Sequence, residues 1–246
     1  MDITLVFPHQ LFADHPAIQA GRTVALIEDP LLFGTDPQWP LRMHHQRRLL
    51  HRASMTVYAE QLRGRGFNVI HQRHDAAPDT QGHLQLLHSA GYRHVHLADL
   101  VDHWLERRLN AFAERVGLRV SVLPTPMLLT PADVLEQHFG TGKKPLMAKF
   151  YEMQRTRLGV LMDAEGGPIG GRWSFDADNR KKLPKGISVP PIPVATPSTV
   201  VDTARQQLAQ ENLPGLGKQD VFHYPIDHKE ASRWLDTFPV SYTHLR

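Results

Sequence analysis

Short, largely apolar runs alternate with longer amphipathic stretches along the first 125 residues. Ile3–Phe7 is the first such run and is closed by Pro8, as a buried strand should be. Thr23–Ile27, Phe67–Ile70, His94–Ala98 and Leu118–Leu123 follow, each of strand length. Between them the period changes to 3.6. Met55, Tyr58, Ala59 and Leu62 share one face of a helix beginning near Met43, and Leu105, Leu109, Phe112 and Val116 share one face of another that Gly117 closes. Strands alternating with helices predict βαβ units and a parallel sheet covered on both faces. Right-handed crossovers then give a doubly wound, mostly parallel, five-stranded α/β sheet of Rossmann-like form over residues 1–128.

The pattern changes after that sheet. Residues 129–164 read as a helical extension, with Thr130 as N-cap, Pro131 at the first helical position and a second helix from Lys144 to Asp163. Residues 165–197 carry two glycine pairs, a basic run (Arg180, Lys181, Lys182, Lys185) and prolines at 184, 190, 191, 193 and 197. So long a stretch without periodicity reads as a functional loop or a connector. Short helices resume at Ser198–Gln210 and His228–Leu235, and they need a surface to pack on. The helical pattern stops at Phe238, and residues 239–246 read as a non-native tail on a truncated chain.

Composition narrows the class. With 246 residues, 41% hydrophobic and 22% charged, the chain is neither disordered throughout nor a coiled coil. No apolar run approaches the roughly 20 residues that span a bilayer, and MDITLVFPHQ is not a secretory leader. Zero cysteines exclude disulfides, thiolate metal sites and cysteine nucleophiles within the chain, and fit a cytoplasmic protein. A net charge of +3 does not by itself call for a polyanionic partner. The 16 histidines read as solvated surface groups.

Candidate chemistry sits where open α/β sheets hold ligands, at the carboxyl ends of the strands. Those ends are Pro8-His9-Gln10-Leu11, Glu28-Asp29-Pro30 and Asp99. The first loop lacks the glycines of a phosphate cradle, which argues against NAD(P) or ATP held in the usual way. A ring-shaped ligand gripped by His9, Gln10 and Glu28 is one reading; turn and helix capping by the same residues is the other. His44, His45, Arg47, Arg48, His51 and Arg52 put positive charge at a helix start, against the macrodipole, so an anion, an interdomain acid or a solvated face is expected there. His94 and His96 point the same way on one strand, but no three-ligand set of recognisable spacing exists, and no metal site is read. Gly170–Arg180 interleaves aromatic rings with cations, as surfaces that dock onto another domain or onto nucleic acid do.

At this last segment the chain resembles a known family. GGRWSFDADNRKKLPKG is similar to the G-G-x-W-x-[FY]-D-x-x-N-R-K-x-[LP] stretch of cryptochrome/photolyase-related proteins, in the bacterial iron–sulfur (6-4) photolyase branch. VFPHQLF, IEDPLLFG, HHQRRLLHRASMTVYAEQL and LMAKFYEMQRTRLGVLMD resemble further family motifs in the same order, and the likeness runs from about Ile3 to Phe238. The resemblance implies an antenna domain, a connector and the start of a helical FAD-binding domain. The parent would use reduced FAD to donate an electron to a UV photoproduct in damaged DNA, or would sense blue light with the same machinery. FAD and a [4Fe-4S] cluster would lie mostly outside this chain, and no catalytic residue inside it. A 6,7-dimethyl-8-ribityllumazine antenna would sit among His9, Gln10, Glu28 and Leu32, with His45 at the rim. Arg172, Trp173, Asp178, Asn179 and Arg180 would order the connector against the flavin domain or DNA. The resemblance further implies a monomer with no membrane or protein partner. A non-catalytic α/β ligand-binding module is the alternative.

Overall fold

Alternate residues of the first strand serve different cores. Along β1 (Asp2–Val6), Ile3 and Leu5 join one cluster while Val6 joins another. The computed structural model describes residues 1–142, 144–174, 186, 198–218, 220 and 222–243. Five strands, β1, β2 (Thr23–Ile27), β3 (Val69–Gln72), β4 (His94–Ala98) and β5 (Arg119–Leu123), form one parallel sheet in the order β3-β2-β1-β4-β5. Helices α1 (Pro30–Phe33) and α2 (His45–Gly64) link β2 to β3; α3 (Thr80–Ser89) and α4 (His103–Val116) make the next two crossovers. The doubly wound α/β architecture follows from this alternation.

One face packs Ile3, Leu5, Ala25 and Ile27 against Leu84 and Leu87 of α3 and Leu105, Leu109 and Phe112 of α4. The opposite face packs Val6, Val24 and Leu26 against Met55, Tyr58, Ala59 and Leu62 of α2, the stripe seen in the sequence. Each fully buried Leu or Ile is worth about 1.5–3 kcal/mol. Gly117 closes α4 in the left-handed region at φ 68°.

Strand β3 lies two residues beyond the apolar run. Gly66 at φ 85° and the Phe67 amide bonded to Leu62 occupy the turn, so pairing begins at Val69 and extends into polar His71 and Gln72. Those two are tolerated because they have partners: His71 lies 3.4 Å from Glu28, and Gln72 Oε1 is 2.8 Å from His83 Nδ1.

The chain divides into two compact units, Met1–Met127 with Pro190–Arg246, and Leu128–Val189. In the first, α7 (Thr199–Glu211) and the segment around Ile226 bury Val201, Ala204 and Ile226 against Leu49 and Ala53 of α2. After Glu211 the chain crosses the start of α2: the Leu216 amide donates to Met43 and its carbonyl accepts from His45. Only glycine fits this strap, since a Cβ on Gly215 would meet the His45 ring at 2.5 Å. Helix α8 (His228–Thr243) continues through Pro239, past the Phe238 boundary read from sequence.

In the second unit, α5 (Ala132–Phe139) and α6 (Met147–Leu158) meet through Phe139 and Phe150, 4.8 Å apart. Thr130 does not cap α5. Pro131 takes the N-cap position, and the Thr130 hydroxyl accepts from the Gln154 amide instead. Helix α6 ends at Leu158, capped by Gly159 at φ 65°, five residues before the expected end at Asp163.

Candidate functional site

The strand order reverses between β1 and β4, so the switch point opens where Phe7–Gln10 meets Ala98–Asp102. Gln10 is fully buried and spends its side chain on this junction. Its amide donates to the Ala98 and Asp99 carbonyls at 3.0 and 3.1 Å, and its Oε1 accepts from the Phe7 amide. His9 is different. Its Nε2 lies 2.9 Å from the Leu100 carbonyl, which can only accept, so Nε2 carries the proton. Nδ1 is then a lone pair, buried and without a partner. Burial, outweighing the Leu100 bond and Asp102, holds the ring below the usual histidine range and therefore neutral.

Across from His9, Val101 adopts φ 50°, a strained position for a β-branched residue. Two aspartates hold the loop there: Asp99 accepts from the Val101 amide at 3.1 Å, and Asp102 caps α4 through the Trp104 and Leu105 amides. Trp39 and Trp104 meet at a tilt, ring centres 5.2 Å apart and both exposed, with Arg107 over the Trp104 ring. His51 of α2 is driven down to about 4, first by burial and then by the charge of Arg47. Arg47 donates to His51 Nε2 at 3.3 Å.

Beside this crevice lies a buried ionic network. Glu28, at the end of β2 and wholly inaccessible, receives both Nε and Nη2 of Arg52 at 3.1 and 2.8 Å. Burial pushes its carboxyl up, but His71, Arg52 and Arg73 overcome that and bring it down to about 2. Arg52 also donates to Glu211 at the end of α7, and Glu211 takes His74 Nε2 at 3.0 Å. The Phe33 ring lies 5.5 Å under the Arg52 guanidinium and 5.1 Å from His74.

The cationic start of α2 thus has named partners. Arg52 pairs with acids, and Arg48 donates to the Phe33, Leu213 and Pro214 carbonyls. Of the proposed pocket, His9 and Gln10 lie at the switch point, Glu28 is saturated within the network, and Leu32 is buried in the apolar core. His45 packs on the strap and lines a cavity of about 20 Å³ with Arg48, Leu49 and Leu208, room for one water. A larger cavity of about 160 Å³, between Leu11, Tyr58, Pro225 and His228, includes none of these five.

In the second unit, Arg155 is buried with its guanidinium between the Tyr151 and Trp173 rings, donating to the Val160, Leu161 and Trp173 carbonyls. Trp173 is thereby fixed and Arg172 lies beside it in the chain; Asp178, Asn179 and Arg180 fall outside the described residues. Sequence reasoning singled out Arg52 without naming its acids and passed over Glu211, and it also missed a three-donor cluster: β1–β4 pairing brings Asp2 against His94 and His96, a set no linear spacing contains. Among the described residues no helix is long and apolar enough to cross a membrane.

Five parallel strands with helices on both faces and a switch point between β1 and β4 define a doubly wound α/β domain. A family model described as deoxyribodipyrimidine photo-lyase-related protein matches residues 4–224, and the chain belongs to that family. It is 29% identical over 199 residues to an uncharacterised protein of Acanthamoeba polyphaga mimivirus, covering 76% of this chain and 98% of that protein. It is 28% identical over 206 residues to a (6-4) photolyase of Agrobacterium fabrum, covering 79% of this chain and 39% of the photolyase.

Proposed function

We propose that this chain is the α/β portion of a light-dependent flavoprotein acting on UV-damaged DNA, and that it carries an antenna chromophore, 6,7-dimethyl-8-ribityllumazine, at the switch point. The observation carrying this reading is the family match over residues 4–224, together with the 206-residue likeness to a (6-4) photolyase. The site supports it chemically. The buried Nδ1 lone pair of His9 suits a heterocycle N–H, with His51 beside it. Gln10 and Glu28 act as framing groups, because their polar atoms are already engaged. Bound there, the chromophore would absorb light and pass the excitation to flavin.

An iron–sulfur cluster does not fit these residues, because the chain has no cysteine to supply a thiolate. On this reading the electron donated to the lesion would come from a flavin held elsewhere in the parent. Docking of a further domain is supported by exposed apolar side chains in the second unit, Leu129, Met147, Leu161 and Ile169 among them.

Titrating the chain with 6,7-dimethyl-8-ribityllumazine and following its fluorescence tests the proposal. One-to-one binding that His9→Ala weakens at least about tenfold (one buried hydrogen bond) is expected. Absence of binding, or binding indifferent to His9, removes the antenna assignment.

A second reading is favoured by the mimivirus protein, which this chain covers over 98% of its length. On that reading the domain is a free-standing ligand-binding module. Cooperative unfolding of a monomer in calorimetry and sedimentation would favour it over a half that needs a partner.

A further inference from the structure

The N-terminal edge of the sheet, remote from the crevice, carries a second group of chemistry. We propose that Asp2, His94 and His96 form a binding site for one divalent first-row metal ion, of the kind zinc represents. The strands preset it. β1 and β4 run parallel with Asp2 opposite His94 and Thr4 opposite His96, so all three side chains leave the same face on successive rungs. Asp2 Oδ2 stands 3.3 Å from His94 Nδ1 and 3.0 Å from His96 Nε2, and the three donor atoms all lie within 4.8 Å of one another. A tetrahedral ion with metal–ligand bonds of about 2.0–2.2 Å has donor–donor edges of roughly 3.3–3.6 Å. The two Asp2–histidine edges are already near that length, and the histidine–histidine edge must close to it from no more than 4.8 Å.

The surroundings bear on the donors. His94 Nε2 lies 2.8 Å from the Ser121 hydroxyl of β5, the outer-sphere bond that fixes a ligating histidine. If Nε2–H donates there, Nδ1 turns a lone pair toward a carboxylate oxygen, an arrangement that a cation between them relieves. If Ser121 donates instead, Nδ1–H bonds Asp2 directly and no ion is required. The two imidazole rings lie 4.0 Å apart between centres. Arg119, in register with His94 on β5, and Arg22 are the cations that face the group, and Asp2 is the anion. Both histidines are mostly buried while Asp2 is 45% exposed, so water has access to the remaining coordination position. Three protein ligands plus water is the pattern of an open zinc site, here tying β1 to β4.

The test is a titration of untagged protein with Zn²⁺ at pH 7.5, followed by calorimetry. One tight equivalent is expected, absent in Asp2→Asn and His96→Gln and weakened about 10–100-fold in Ser121→Ala. Metal-free melting curves show that the variants remain folded. Cobalt bound to the wild-type protein needs no variant: intense visible d–d bands that one equivalent of zinc abolishes are predicted. The weak spectrum of the hydrated cobalt ion alone, or zinc uptake unaffected by the Asp2 and His96 changes, overturns the site.

Discussion

Replacing Arg52 by methionine removes the hub that joins Glu28 at the sheet to Glu211 on α7. Methionine keeps most of the volume and the contact with Phe33, so loss of charge dominates. The magnitude follows from Glu28, whose carboxyl falls from 4.5 to about 2 in the fold. At 1.36 kcal/mol per pH unit, that depression is worth about 3 kcal/mol, shared among His71, Arg52 and Arg73, and so bounds the part Arg52 supplies. Breaking a buried pair by removing one partner typically costs 3–5 kcal/mol, in agreement. For a chain of this size the expected fall in Tm at pH 7 is roughly 6–12 °C. The pH dependence is diagnostic. A carboxylate depressed in the native state contributes fully above its free value near 4.5, and the contribution is lost as pH falls toward 2. The gap between wild type and Arg52→Met should therefore narrow below pH 4.5, because protonated Glu28 no longer needs the guanidinium. Adding Glu28→Gln to Arg52→Met should recover about 1–3 kcal/mol relative to additivity. Calorimetry from pH 7 to 3.5 would refute the reasoning if the variant melted within about 1 °C of wild type, well short of the expected fall. A gap independent of pH would refute it equally.

Asp29 behaves oppositely: burial raises its carboxyl from 3.8 to about 6, so its ionisation opposes folding as pH rises through that interval. Asp29→Asn keeps the cap on the Leu31 amide and should gain about 1–3 kcal/mol at pH 8 but little at pH 4, read by urea denaturation. Gln10→Ala strands the Phe7 amide and the Ala98 and Asp99 carbonyls, and a loss of about 2–3 kcal/mol is expected in the same assay. Val101→Gly releases a left-handed β-branched residue and should raise Tm by about 1–4 °C; a fall would show that the loop is not strained.

The sheet was legible because its signal is local. Ile3–Phe7, Thr23–Ile27 and His94–Ala98 carry their strand character in their own residues, and the α2 and α4 stripes carry theirs. The third strand was misplaced because His71 and Gln72 are polar for reasons that only Glu28 and His83 explain. The strand ends located His9 and Gln10 just beyond β1, but not how differently the two side chains are engaged. Glu211, the acid that answers the basic start of α2, lies 159 residues from Arg52, and no periodicity reports such a pair. The Asp2–His94–His96 cluster was hidden for a related reason, since it exists only once β4 is known to lie beside β1.

Amide chemical-shift mapping with 6,7-dimethyl-8-ribityllumazine addresses the central claim most directly. Shifts are predicted at His9 and at Leu100–Asp102, spreading to His51. Shifts confined to the cavity formed by Leu11, Tyr58 and His228, or none at saturating ligand, would contradict the account.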